Sequence, residues 1–409
     1  MKKYVFITQS ISGVTGNQRY VNNKCKLLRE NGWEVIVLWN YNISPVELEH
    51  VKCFDNKKYI HHELKFYPSW FSTRGRRKVV DRLASIIGRA EQIVIESNKL
   101  ELGAWGELLA KKLRCKHINF VTTEGLSICN KATFDYCYAK LLKNEFFNIN
   151  TASVTRFFSN FVTIEHPEKY YLGENYPVSV EVKEYPFPAF DDMPQADYTI
   201  THFGRYKKYV PNLILELNQF AFNHPDKQIN LFLIGDAQLQ NSFETSFNQP
   251  NVNVSFHSEV ITVPKQIFEK SDVIIATAGC ASLAAEYMPN VIAMDIKTLE
   301  PLGLLKRTTL DTNASSGQFH NNKSVVQWLE SLLVEKEVYP LLKTQRISHG
   351  FNYQMQLVEK CDYQYIDTTK VKEGMTQHDG LYEFLVKIGL FHVVEYFYFK
   401  KRGMKIIWR

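Results

Sequence analysis

The feature that most restricts this chain is an alternation that runs through it twice: a short apolar run, a loop of glycine or small polar residues, then a stretch of helix length. Tyr4 to Ile7 is the first run, and the polar loop from Ser10 to Gly16 leads into Val21, Cys25 and Leu28, spaced i, i+4 and i+7 as on one helix face. Asn31-Gly32 stops that helix and Glu34 to Trp39 is a second apolar strand, so the first 40 residues predict a βαβ unit of a parallel sheet. Strands over Ile93 to Ile95 and His117 to Thr122 flank a helix over Leu100 to Leu113, and a further strand is expected over Asn148 to Ala152. Pro177, Pro186, Pro188 and Pro194 then disfavour regular structure and mark a linker. The alternation restarts with strands over Tyr198 to Phe203, Asn230 to Ile234, Val252 to Phe256, Val273 to Ala276 and Val291 to Met294, and with a helix marked by Leu213, Leu217 and Phe220. Beyond Pro340 it weakens.

A chain of 409 residues is too long for one ordinary core. The expectation is an α/β protein with a first domain over 1–190, a second over 191–340 and a helical tail over 341–409 that packs back on the first domain or touches a membrane. No apolar run reaches the length of a membrane span, and Met1-Lys2-Lys3 leads directly into the first strand, so no cleaved signal segment is expected. The seven cysteines (25, 53, 115, 129, 137, 280, 361) are odd in number with no C-x-x-C pair, which signals neither a disulfide framework nor zinc and fits a reducing cytoplasm. A net charge of +6 without a recognition motif does not make a nucleic-acid binder. From Leu385 to Arg409, however, six basic residues face only Glu395.

In open parallel sheets ligands bind at loops leaving the carboxyl ends of the strands, which directs attention to four loops. Gly13, Thr15, Gly16 and Asn17 follow the first strand and open a helix whose free amides can receive an anion or a sugar hydroxyl; a plain tight turn is the alternative. The G-x-G-x-x-G pattern is incomplete and Trp39-Asn40 stands where a ribose-binding acid would, which disfavours a dinucleotide oxidoreductase. Gly204-Arg205-Tyr206-Lys207-Lys208 offers close approach and cations for a diphosphate, or else an exposed basic turn. Gly235-Asp236 follows the next strand. Thr277 to Ser282, with Gly279, follows a later one and opens a helix carrying Glu286, whose carboxylate can accept from both ribose hydroxyls.

These segments, over roughly residues 1 to 335, resemble the glycosyltransferases of the GT-B arrangement, particularly the group that includes bacterial polysaccharide and lipid-sugar transferases. The likeness rests on His202-Phe203-Gly204-Arg205 with Lys207 and Lys208, on Leu233-Ile234-Gly235-Asp236, and on Ser271 to Ile275, the Gly279 loop, Glu286 and Asn290 to Asp295, in that order. It implies two Rossmann-like domains facing across a cleft, with the donor nucleotide on the second. By the same likeness Arg205 and one of Lys207 or Lys208 grip the donor diphosphate, with Gly204, Gly235, Asp236, Gly279 and Ser282 around it, and Glu286 binds the ribose. Two departures stand out. The family's Glu-x7-Glu signature places a first glutamate where Ala278 stands, and its frequent histidine after a central first-domain strand is replaced by Thr122-Thr123-Glu124-Gly125. Glu124 is therefore a candidate acid/base or ligand of the acceptor hydroxyl, against the alternative of a surface carboxylate.

There is no Walker lysine loop, no G-x-S-x-G elbow and no H-E-x-x-H helix, and Asp191-Asp192 is not a D-x-D metal motif. Cations and helix amides can stabilise a leaving diphosphate without a metal, so neither metal nor cofactor is expected, the nucleotide sugar being a co-substrate. Ser69 to Lys78 mixes aromatics with Arg74, Arg76, Arg77 and Lys78, and Tyr396 to Arg409 repeats the mixture, which points to a peripheral membrane surface. The expected function is sugar transfer from a nucleoside-diphosphate donor to a glycan or lipid-linked hydroxyl, metal-independent and retaining, in polysaccharide assembly. A sugar-nucleotide epimerase of the same architecture and a non-catalytic transferase-like scaffold are its rivals.

Overall fold

In a parallel sheet covered on both sides, strands are apolar on both faces, and the six buried residues of Lys2–Thr8 show the consequence. Val5 and Ile7 enter one core with Leu83 and Trp105, while Tyr4 and Phe6 enter another with Val21, Cys25 and Leu28. This two-residue alternation places helices on both sides of the sheet. The computed structural model describes residues 1–9, 16–40, 61–122, 126–149, 151–170, 182–204, 209–235, 246–258, 260, 262–295, 298, 300–310, 323–342, 355–356, 364–372, 379–390 and 393–394. The chain divides into two units: Met1–Ser179 with Arg346–Arg409, and Val180–Gln345.

Unit 1 runs β1 (Lys2–Thr8), α1 (Gly16–Glu30), β2 (Trp33–Trp39), α2 (Thr73–Ile87), β3 (Gln92–Ser97), α3 (Leu100–Leu113), β4 (Lys116–Val121), α4 (Lys131–Leu142), β5 (Phe146–Asn148) and α5 (Thr151–Phe158). Its five strands are parallel in the order β2-β1-β3-β4-β5. The strand expected over Asn148 to Ala152 is instead the end of β5 and the start of α5. Val154, Phe157 and Phe158 are spaced i, i+3, i+4 and all enter the core, which a strand could not achieve. Ser72 caps α2 by accepting from the Gly75 amide at 3.2 Å. Trp70 and Phe71, read from sequence as part of a membrane-facing patch, are only 5% and 6% exposed and pack with Phe66 and Trp105. Their place in the core removes the aromatic half of that patch.

The described part of the C-terminal region belongs to unit 1. Residues 364–372 are not helical; their backbone is tied down by side chains of the sheet's helices and turns. The Ile366 amide donates to Glu107 Oε1 (2.9 Å), and the Val371 and Lys372 carbonyls accept from Ser69 Oγ (3.0 Å) and Thr133 Oγ1 (2.7 Å).

Unit 2 begins with β6 (Val182–Lys183) and α6 (Pro188–Asp191), then β7 (Tyr198–Phe203), α7 (Val210–Asn223), β8 (Ile229–Ile234), β9 (Val252–His257), β10 (Val263–Pro264) and α8 (Gln266–Glu269). It continues with β11 (Val273–Ala276), α9 (Ala278–Tyr287), β12 (Val291–Met294), β13 (Pro301–Leu304) and α10 (Val325–Leu329), which runs on as a π turn. Six strands order as β13-β12-β11-β7-β8-β9, parallel except for the β12/β13 pair, and β6 pairs separately with β10. The last described helix of the chain is α11 (Asp379–Lys387), in unit 1.

Candidate functional site

The chain leaves β7 on one side toward β8 and β9, then returns on the other side of β7 as β11. Such a reversal of strand order opens a crevice at the carboxyl ends of the two strands, here between Gly204 and Thr277. Gly204 has φ +127, and a Cβ on it would lie 3.1 Å from Cys280 Sγ. Glycine therefore allows the loop after β7 to lie against the first turn of α9.

Tyr209 closes that loop. It is buried at the start of α7, and its hydroxyl is 2.8 Å from His202 Nε2. Burial pushes the tyrosine hydroxyl well up, so it stays protonated, and pushes the His202 imidazole down to about 4, so it stays neutral. Thr277 supplies no side-chain cap to α9. The Cys280 and Ala281 amides turn back to the Thr277 carbonyl at 3.2 and 3.3 Å. Ala278 takes φ +47, a conformation unusual for a side chain with a Cβ, and a Cβ on Gly279 would meet nothing within 4 Å. Gly235 ends β8 beside them, its amide bonded to the His257 carbonyl at 2.9 Å, and Ser282 is half-buried on α9. The result is an uncapped helix start, open at Gly279, on the edge where an anionic ligand is favoured.

Among the residues singled out from sequence, the structure thus brings Gly204, Gly235, Gly279 and Ser282 to one sheet edge. Arg205, Lys207, Lys208, Asp236, Glu124, Gly13 and Thr15 lie outside the described residues. Glu286 does not sit at that edge: it is exposed in the last turn of α9, eight residues or about 12 Å along the helix axis from Ala278. There it lines a cavity of about 230 Å³ with Met288, Pro289, Lys306 and Arg307.

In unit 1 the corresponding reversal falls between β1 and β3. Gly16 opens α1, and Asn17 Nδ2 donates to Thr8 Oγ1 at 3.1 Å, joining the start of the helix to the end of β1. Beneath this edge lies an ion pair that sequence reading missed, Lys24 Nζ to Glu96 Oε2 at 2.5 Å, both side chains buried. Glu96 also accepts from the Tyr4 and Tyr20 hydroxyls at 2.6 Å each and from Asn98 Nδ2 at 3.2 Å. Burial pushes the Lys24 ammonium down while Glu96 pulls it back up. The available signals were a glutamate ending the apolar run Ile93-Val94-Ile95 and a lysine four residues before Leu28 on the buried face of α1.

A second buried cluster has the outline of a Ser-His-acid triad: Ser97 Oγ to His117 Nε2 at 3.1 Å and His117 Nδ1 to Glu107 Oε2 at 2.9 Å. All three side chains are inside the core, and Lys140 neutralises the acid at 2.9 Å while also reaching Glu145 at 2.6 Å. Burial pushes the Glu107 carboxyl up, but Lys140 and His117 outweigh it and hold the group at about 2. With no access for a substrate, this cluster is a structural network and it anchors Ile366.

Among the described residues no group of three or more His, Cys, Asp or Glu could hold a metal ion, and no helix is long and apolar enough to cross a membrane. No protein-family model and no curated protein matches the chain. Solved structures do. The chain is similar to TarM (TM-score 0.52, 9% identity, 90% of this chain and 96% of that one). It is also similar to sucrose-phosphate synthase from Thermosynechococcus elongatus (TM-score 0.50, 13% identity, 89% and 96%). A UDP-GlcNAc 2-epimerase from Neisseria meningitidis bound to UDP-GlcNAc matches at TM-score 0.47 and 12% identity, over 89% and 95%. The fold is the two-domain α/β GT-B fold, the fold of glycosyltransferases.

Proposed function

We propose that this protein is a glycosyltransferase that moves a sugar from a nucleoside-diphosphate-sugar donor to a hydroxyl of a glycan or lipid-linked acceptor. The observation that supports it most is the packing of Gly204 against Cys280 beside the start of α9, which is uncapped and open at the β7/β11 edge. In this reading the α9 amides and Arg205, with Lys207 or Lys208, hold the diphosphate and stabilise the charge that grows on it as the glycosidic bond breaks. Gly204, Gly235, Asp236, Gly279 and Ser282 shape the donor site, and Glu286 is the proposed ribose ligand if the nucleoside runs the length of α9. Glu124 and the loop of Gly13, Thr15, Gly16 and Asn17 serve the acceptor in unit 1. The reaction is metal-independent and retaining, and its setting is the assembly of a bacterial surface polysaccharide such as capsule or O-antigen, on the cytoplasmic side of an anionic membrane.

The test is a panel of nucleotide sugars incubated with the protein, with and without glycan and lipid-linked acceptors, followed by mass spectrometry. Nucleoside diphosphate release that depends on an acceptor is the expected result. Donor conversion to an isomeric or free sugar without acceptor would replace transfer by epimerisation. Neither reaction, with no nucleotide bound, would leave a scaffold.

A further inference from the structure

The last described helix of unit 1, α11, is apolar on two faces. Val386 is buried in the core, and Tyr382 and Leu385 pack against it; the helix lies beside the turn Pro68–Trp70. On the opposite face Leu381 and Phe384, with Ile388 just past the helix end at the i+7 position, are 60%, 58% and 54% exposed, and the exposed Leu390 and Val393 follow. Five of the sixteen exposed large apolar side chains among the described residues thus fall within thirteen positions. Scattered apolar residues on a surface need no explanation, but a ridge of this kind does.

The charges around it say what covers it. Three residues after Trp70, α2 begins, and its opening turns carry Arg74, Arg77 and Lys78, all exposed. Arg77 is 3.9 Å from Asp81; on α11 itself Glu383 is paired with Lys387 at 2.8 Å. A second copy of the chain seated symmetrically on this ridge would set like charges against each other. An anionic surface does the reverse.

We propose that the outward face of α11, flanked by the cations opening α2, docks unit 1 onto an anionic lipid bilayer, with Leu381, Phe384 and Ile388 entering the boundary between headgroups and acyl chains. A helix with an apolar face and basic flanks lies in that boundary, its affinity the product of buried apolar area and charge attraction. This deepens the membrane partner proposed above by naming the face, and it rests on a different unit from the donor site. It can therefore fail while that site stands.

The experiment is co-sedimentation of the full chain with phosphatidylcholine vesicles, with and without phosphatidylglycerol, read beside nucleotide binding and circular dichroism. The wild type is expected to favour the anionic vesicles and to be released by salt. Leu381→Ser/Phe384→Ser/Ile388→Ser and Arg74→Glu/Arg77→Glu/Lys78→Glu are each expected to lower partitioning by at least about tenfold. Both should keep wild-type circular dichroism and nucleotide binding. Equal binding to both vesicle types, undiminished binding of the apolar triple variant, or a wild-type dimer in the ultracentrifuge that this variant dissolves would each overturn the proposal.

Discussion

Unit 1 and unit 2 are built on the same kind of doubly wound sheet but are filled differently. Unit 1 buries the Lys24–Glu96 pair and the Glu107, Lys140, Glu145 and His117 network. Among the described residues of unit 2, the buried charged side chains reduce to Asp295, and His202 is held neutral beside Tyr209. Buried ion pairs cost desolvation and return it only when every partner is present, so unit 1 spends its polar groups on itself. In unit 2 the polar capacity at the carboxyl edge is backbone amides and small residues, unengaged by a capping side chain. The difference between the sheets is that one carries buried ion pairs and the other an uncapped helix start at its carboxyl edge.

Acid should separate the two units most strongly. Burial holds His61 and His117 in unit 1 and His202 in unit 2 at about 4, below the ordinary imidazole value of 6.5. The folded state thus binds fewer protons than the unfolded chain between these values. Stability is full above pH 6.5 and falls as pH drops toward 4, by up to about 1.4 kcal/mol per pH unit for each imidazole. Glu107, held at about 2, adds a further loss in unit 1 as pH falls below its unfolded value toward 2. Hydrogen exchange across this range should show unit 1 opening first; unit 2 opening first would break the comparison.

Next in size, Lys140→Met leaves Glu107 and Glu145 buried without their cation, which should cost unit 1 about 3–5 kcal/mol in denaturant unfolding. Unit 2 should keep its exchange protection. Arg205→Ala should lower kcat on the order of 10²–10³-fold with unchanged unfolding, since it acts on charge that develops during reaction. Wild-type kcat would remove it from the diphosphate. Glu286→Ala is the smallest expected effect. A nucleoside confined to the Gly204–Gly279 edge leaves the donor KM unchanged, whereas one running along α9 raises it by the loss of a charged hydrogen bond, about 1.5–3 kcal/mol. Either outcome sharpens where unit 2's ligand ends.

The strands were legible because buried parallel strands are continuous apolar runs, as in Val273–Ala276 and Val291–Met294. Helix α2 was not, since its first turns, Arg74 to Lys78, drew attention as a charge cluster and hid the stripe of Val79, Val80, Leu83, Ala84 and Ile87 that packs inward. The glycines of the candidate site, Gly204, Gly235 and Gly279, were visible as strand-ending loops. The contact of Gly204 with Cys280 was not, because it joins residues about seventy positions apart and exists only once β11 is paired beside β7. Glu286 was singled out by its spacing from the Gly279 loop, and the structure places it in the last turn of α9.

A nucleoside diphosphate is proposed to bind at the β7/β11 edge of unit 2. Hydrogen exchange with and without saturating UDP, GDP and dTDP measures it directly, in wild type and in Gly204→Val, whose side chain would collide with Cys280. One of these nucleotides should protect residues 277–283 and 204–209 in the wild type, leave the β1 and β3 ends of unit 1 unchanged, and lose its effect in Gly204→Val. Protection centred on the unit 1 edge, or unaltered protection in the folded Gly204→Val protein, would contradict it.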